Sequence, residues 1–330
     1  MTAIASSDAA RPISLGLVGL GRQMRDVLVP ALIASAPWKI RGICDVDPDR
    51  VDEFSKIYAS GSCFTDVERM LDEERFDALI VAVGHKQNLP IISAALQHGV
   101  SVFVEKTPVD SVAEADELVR LQHDTGRWVM VGFNRRFADP YRDVRAISAL
   151  PEFGGIRMFQ SQFHANRYDE RAFVVNHVIH HLDLARFLLG EIEIADVQRI
   201  RVSEGIVGYT ISFVAESGAI GTIQSGSMLD ASFPVERLEV LGVGGNIVVD
   251  NLAPAIYHQP PGTIATPIAP ASTTWTPTTY RAPHRNLVGY ERELAHFMSS
   301  IRHDTAPSPD IADARKTMAL VERVDELAQL

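Results

Sequence analysis

Cysteine is scarce in this chain of 330 residues, and its two cysteines, Cys44 and Cys63, offer neither a disulfide framework nor the paired spacing of a zinc site. Such usage fits a reducing cytoplasm. Long apolar runs are absent too: none approaches the roughly 20 residues of a membrane-spanning helix. The first eleven residues are small and polar, without the apolar stretch of a secretory leader, and read as a loose tail. Positive charge is in deficit, with 31 Lys and Arg against 42 Asp and Glu and a net charge of -11. No basic stripe is available to neutralise phosphates, so neither nucleic acid nor an anionic membrane is an expected partner. No segment repeats at a fixed period.

What the chain does have is 46% apolar and 22% charged residues, the balance of a globular protein, and a length that predicts two domains. Its organising stretch runs from Ser14 to Met24, an apolar run that breaks into Gly19-Leu20-Gly21 just before a helical pattern starts. That is the form of a strand, a tight turn and a helix N-terminus, whose free backbone N–H groups and dipole suit a pyrophosphate. In the dinucleotide fingerprint the first glycine allows the turn and the second lets the backbone approach the phosphates. Gly19 and Gly21 take those places, with Arg22 and Gln23 opening the helix. Met24 stands where a third glycine is usual, so the helix must sit further from the strand or repack. The next apolar run closes on Asp45, an acid placed to accept ribose hydroxyls of an adenosine. Two glycines alone fit an ordinary βα turn equally well; Asp45 tips the reading towards a dinucleotide. Val46-Asp47 follow it in place of arginine or serine, so a 2′-phosphate would meet negative charge and NAD is expected in preference to NADP.

As far as residue 133, short β-rich runs alternate with helical stretches, and the run 76–83 is almost continuously apolar, as in a strand buried on both faces. This pattern predicts an α/β fold with a doubly wound parallel sheet, whose ligand sits at the carboxyl ends of the strands. Gly19, Gly21, Asp45, Val83, Gly84, Glu105 and Lys106 fall at those ends. Beyond residue 134 the order changes to a connecting helix, a strand at 154–163, a long helix at 173–189 and five short strands between 193 and 249. An α+β domain with a mainly antiparallel sheet is expected there. Residues 251–283, rich in proline and threonine, read as an irregular segment that wraps a neighbour or roofs a pocket. Two helices finish the chain. The domains are taken as 12–133 for the cofactor and 134–330 for the substrate.

Lys106 ends a buried strand beside the expected nicotinamide site. A desolvated ammonium holds its proton less tightly and can exchange it with a substrate oxygen near neutral pH; the plain alternative is a lysine paired with Glu105. Asn176, His180 and Asp183 follow at i, i+4 and i+7 on one helix face. An imidazole there could take a proton from an alcohol while a hydride leaves the same carbon. His177 and His181 invite a metal reading, but the glutamate of the zinc-protease helix is missing and no third ligand is set by spacing, so no metal is expected. Arg135, Arg136, Arg157, Arg167 and Arg171 lie on nearby segments and suit a phosphorylated, carboxylated or nucleotide-linked substrate, or equally the solvent surface.

Over nearly its full length the chain resembles the Gfo/Idh/MocA family (glucose-fructose oxidoreductase, inositol dehydrogenase, rhizopine catabolism). The resemblance is carried by Gly19-Leu20-Gly21 with Asp45, by Val104-Glu105-Lys106-Thr107-Pro108, by Gly132-Phe133-Asn134-Arg135-Arg136-Phe137, and by the run from His180-His181-Leu182-Asp183 to Gly190. It implies a Rossmann domain followed by a domain whose open sheet packs subunits into dimers or tetramers. It implies that Lys106 touches substrate and nicotinamide and that His180 is the acid/base histidine. Asn176 is placed with these two in the catalytic set, and Lys106, Arg135, Asn176 and His180 are the expected substrate contacts. The implied reaction moves hydride between NAD(P) and a secondary alcohol or ketone of a sugar, cyclitol or sugar derivative, including nucleotide-linked ones. The rival is a catalytically inactive, cofactor-binding sensor on the same fold. Asn176 supports the rival, because sugar and inositol dehydrogenases often carry an aspartate there and an amide cannot take a proton. Thr107 replaces the family's proline, which puts the usual cis bond after the lysine in question. Gly84 and Asn88 replace the proline and histidine of the family's Pro-Asn-x-x-His loop.

Overall fold

A computed structural model describes residues 11–33, 35, 37–58, 61–165, 168, 170–229, 234–253, 255–259, 271–275 and 288–330. The apolar runs of the first half become β1 (Ile13–Val18), β2 (Trp38–Cys44), β3 (Ser62–Phe64), β4 (Ala78–Val81), β5 (Ser101–Glu105) and β6 (Val129–Gly132). All pair in parallel, in the order β3-β2-β1-β4-β5-β6. Every residue of β1, β4, β5 and β6 is buried, which is why these segments are nearly continuously apolar. The order reverses between β1 and β4, and the crevice for a ligand opens at that switch point.

The crossovers are α1 (Val29–Leu32), α2 (Pro48–Tyr58), α3 (Val67–Glu73), α4 (His85–Gln97) and α5 (Val112–Thr125). Asp66 and Ser111 cap α3 and α5 by accepting from Arg69 N and Glu114 N, and left-handed Gly126 stops α5. A π-helical turn, Met24–Leu28, leads into α1. Met24 is fully buried among Leu15, Leu17 and Leu28. Of the two ways to accommodate the missing glycine, the chain has repacked, with a wider turn around the larger side chain.

The second half contains α6 (Asp139–Ser148), β7 (Met158–His164), α7 (Glu170–Phe173), a π-helical turn Val174–Val178 and α8 (Ile179–Leu189). β8 (Ile192–Ser203), β9 (Ile206–Ala215), β10 (Ile220–Gly226), β11 (Val235–Leu241), β12 (Asn246–Asp250), β13 (Ala255–Gln259) and β14 (Ala271–Trp275) follow. With β7 they form one sheet in the order β14-β13-β12-β11-β7-β10-β9-β8, antiparallel except for the β7–β10 pair. Strands β13 and β14 correct the reading of 251–283 as irregular; Thr273 and Thr274 are β-branched residues that suit an edge strand. Residues 254, 260–270 and 276–283 of that segment lie outside the described residues. One face of the sheet is buried by helices, while Met158, Val214, Ile220 and Met228 stay exposed on or beside the other.

Two helices close the chain, α9 (Tyr290–His303) and α10 (Ile311–Ala328). Leu294, Phe297 and Met298 of α9 belong to the same core as Leu15, Met24 and Phe103, with the Phe103 and Phe297 rings 5.8 Å apart. Just before α10 the chain lies along β6: Met130 bridges Asp310, and Val131 N donates to the Pro309 carbonyl over 3.1 Å. Among the described residues no helix is long and apolar enough to cross a membrane.

Candidate active site

Strand β1 ends in Gly19, whose φ of +81° lies in the left-handed region and whose added Cβ would stand 2.5 Å from the Ala82 carbonyl oxygen. Only glycine fits that turn without strain. At Gly21 a Cβ would meet nothing within 4 Å, so the backbone there faces open space. The space is a cleft of about 770 Å³ lined by Gly19, Gly21, Asp45, Arg50, Val83 and Gly84 among others. A bare turn at a helix start, open at the second glycine, fits the pyrophosphate of a dinucleotide. Asp45 is buried at the rim, where its Oδ2 accepts from Leu20 N over 2.8 Å and its Oδ1 from Asp47 N over 3.0 Å. The acid thus ties β2 to the glycine turn.

Arg50 brings a cation that the residues beside Asp45 did not announce. Its Nη1 stands 3.8 Å from Asp45 and its Nε 3.3 Å from Asp47. A 2′-phosphate would therefore not meet negative charge alone, which corrects that part of the sequence reading. Arg22, with its side chain 92% exposed and 3.7 Å from Asp26, lines neither cavity.

Ala82 and Val83 also line a second cavity of about 390 Å³, so the two spaces meet. Its walls include Gln23, Glu105, Lys106, Arg135, Asn176 and His180, all read from the sequence, and also Phe163, His177 and Tyr290. Burial lowers the proton affinity of Lys106, with the Glu105 charge opposing and the Arg135 charge adding to the effect. Its Nζ donates to the Asn176 carbonyl over 3.2 Å, while Thr107 Oγ1 donates to the Val175 carbonyl over 2.6 Å. The strand end is thereby clasped to the π-helical turn. Glu105 is pushed up by burial, although Gln23 Nε2 donates to it over 2.8 Å. The same amide donates to Tyr290 Oη over 3.3 Å.

His180 is buried, and its Nδ1 has no hydrogen-bond partner. Burial first, then the charges of Arg135 and Lys106, hold its pKa well below the ordinary value, so the ring is neutral at pH 7. His177 is similar: its Nε2 is buried without a partner, and burial brings its pKa to about 4. Phe163, Tyr168 and Phe173 hold that ring, with centroids at 5.3, 4.6 and 5.1 Å. Asn176 Nδ2 donates back to the Ala172 carbonyl over 2.7 Å, which leaves its Oδ1 for a ligand. Arg135 gives Nε and Nη2 to Glu236 at 3.0 and 2.7 Å, and Tyr141 Oη donates to the same carboxylate over 2.7 Å. Burial alone would raise the Glu236 pKa, yet the guanidinium brings it down to about 2. Arg135 therefore fronts the pocket with its charge already matched.

Asp183 does not join this set. Arg136 takes both its oxygens, at 2.7 and 2.6 Å, and turns the carboxylate away from the pocket. His181 is fully buried outside the pocket with neither nitrogen bonded. Among the described residues no group of three potential ligands is arranged for a metal. Arg157 and Arg171 are exposed away from the cavity, and Arg167 lies outside the described residues. Tyr290 and Glu236 had no local signal in the sequence, because only the packing of distant elements brings them here.

Residues 13–133 match the profile of a family described as an oxidoreductase family with an NAD-binding Rossmann fold. Over this first domain the chain is similar to the Gfo/Idh/MocA family. D-apiose dehydrogenase from Paraburkholderia graminis is 26% identical over 301 residues, spanning 86% of this chain and 79% of that protein. A dehydrogenase from Chromobacterium violaceum, 24% identical, has the same fold with a TM-score of 0.87 over 96% of both chains. Levoglucosan dehydrogenase, solved with NADH and L-sorbose, has it with a TM-score of 0.82 at 16% identity over 97% of both chains. The matched family is described as one of oxidoreductases, and each of these three similar proteins is a dehydrogenase. The chain's departures from the family pattern are accommodated locally. The Lys106–Thr107 bond is cis although proline is missing. Gly84 caps α4, and the buried Asn88, in the place of the family's histidine, donates to the Thr107 carbonyl over 3.5 Å.

Proposed function

We propose that the protein is an NAD-dependent dehydrogenase acting on a secondary alcohol or ketone of an uncharged monosaccharide or cyclitol. One observation carries the reading: Lys106 and His180, both with their proton affinity lowered by burial, line a pocket that shares Ala82 and Val83 with the cleft at the glycine turn. The backbone at Gly19 and Gly21 would hold the pyrophosphate and Asp45 the adenosine ribose, and the nicotinamide supplies the hydride chemistry when bound. Lys106 Nζ would orient the reacting oxygen, and the neutral imidazole of His180 would accept the alcohol proton or return it. Asn176 Oδ1 would accept from a neighbouring hydroxyl. Polar side chains lining the pocket, Asn176 and Lys106 with the rings of His177 and His180, favour a ligand rich in hydroxyls.

The pairing of Arg135 with Glu236 favours an uncharged substrate, and a volume of about 390 Å³ favours a single sugar ring over a nucleotide-linked one. The relative that acts on D-apiose and the one solved with NADH and L-sorbose support the same class. NAD is preferred because Asp45 and Asp47 together outweigh Arg50. The exposed apolar side chains on the sheet of the second half would pack against a second copy, as a dimer or tetramer, in the cytoplasm. The deciding experiment titrates cofactor-stripped protein with NADH and NADPH by nicotinamide fluorescence, then screens neutral sugars and cyclitols in both directions. Tighter NADPH binding would overturn the cofactor assignment. Cofactor binding without turnover on any neutral polyol would favour the sensor reading.

A further inference from the structure

A third cavity, of about 580 Å³, shares no lining residue with the two described above. Four of its nine lining residues are arginines and none is acidic, in a chain whose net charge is -11. The arginines divide into two kinds. Arg136 and Arg186 form the floor and are fully engaged, the first with Asp183 and Asp313, the second with Glu191 and Asp313. Arg142 and Arg145, at i and i+3 on α6, stand exposed at the mouth, and among the described residues neither has an ion-pair partner.

The rest of the lining is also arranged for an anion with a carbon skeleton. The Arg145 guanidinium lies 4.4 Å from the centroid of the Phe187 ring, a cation–π contact that holds it without spending a donor. His296 Nε2 accepts from Ser308 N over 3.0 Å, so the proton of the neutral ring resides on Nδ1, a further donor. Phe137 packs on the same imidazole at 5.6 Å and supplies a second apolar wall. Two unpaired guanidinia presented together match the oxygens of a phosphate dianion. The volume exceeds what a bare anion needs and falls in the range of small-molecule sites.

We propose that this cleft binds a phosphorylated small molecule, with the phosphate on Arg142 and Arg145 and the carbon skeleton between Phe137 and Phe187. Its floor adjoins the catalytic helix, because Arg136 holds Asp183 in the turn after His180. The test is calorimetric titration of the full chain, with NADH saturating so that the glycine turn is filled, using inorganic phosphate and glucose 6-phosphate as probes. Wild-type protein should bind glucose 6-phosphate at one saturable site, more tightly than inorganic phosphate. The double variant R142A/R145A should lose at least tenfold in affinity while its unfolding midpoint, NADH affinity and basal turnover stay unchanged. Equal binding by wild type and variant would overturn the proposal, as would no binding by wild type. Inorganic phosphate binding as tightly as the sugar phosphate would overturn the assigned ligand class.

Discussion

The glycine turn and the helix of His180 border adjoining spaces but are built on opposite terms. At residues 19–24 the chain clears side chains from the cleft: Gly19 and Gly21 have none, and Met24 is sunk into the core. At residues 174–180 it does the reverse and delivers side chains, including two imidazoles whose buried nitrogens find no partner in the protein. Both segments pass through a π-helical turn. In the first, the wider turn accommodates a bulky residue behind the site; in the second, the carbonyls of Val175 and Asn176 receive Thr107 and Lys106. A site made of backbone is harmed by adding atoms, and a site made of side chains by removing them.

The largest effect should come from truncation on the side-chain half. Lys106→Ala and His180→Ala are each expected to lower kcat by about 10²- to 10⁴-fold, while NADH affinity stays within a few-fold. Steady-state kinetics beside a fluorescence titration checks this; retained turnover would break the comparison. On the backbone half, Met24→Ala should cost about 2–5 kcal/mol in urea unfolding with little change in NADH binding, because the residue fills the core and does not line the cleft.

Acid should separate the halves further. The folded pKa of His181 is brought to about 4 by burial, from an ordinary 6.5. Below pH 6.5 the unfolded chain takes up a proton that the folded chain refuses, so stability falls as pH drops towards 4, by on the order of 3 kcal/mol for this residue. His177 adds a loss of the same sign over the same window. Urea midpoints at pH 7 and pH 5 read the effect, and His181→Phe should flatten it. The smallest effect belongs to Gly21→Ala, whose new methyl meets no protein atom. Its unfolding midpoint should not move, whereas NADH should bind about tenfold more weakly, or about 1.4 kcal/mol.

The same contrast explains what could be read from the sequence. Parallel strands, the glycine turn and Asp45 are local patterns, and each is found at the expected place in the fold. That Lys106 and His180 would lie near one pocket was legible because strand end and helix face are set by short-range spacing. Arg50 was missed because it reaches Asp45 and Asp47 from the next helix, and Tyr290 because it opens a helix from the far end of the chain. Asp183 sits at the spacing of the Asn176–His180 face, yet Arg136, from another element, captures it. Strands β13 and β14 were hidden by a proline-rich setting; their order comes from pairing with β12 and with each other, not from an apolar alternation of their own.

The contact of Met130 and Val131 with Pro309 and Asp310 has a consequence for how the chain is made. β6 is the edge strand of the parallel sheet, and its outer hydrogen-bonding groups are met by Pro309 and Asp310, which are synthesised long after it. On the ribosome, the first half can collapse around its sheet long before that edge is covered. A nascent or truncated chain that ends before residue 309 therefore carries a raw strand edge, the kind of surface that recruits other chains into aggregates.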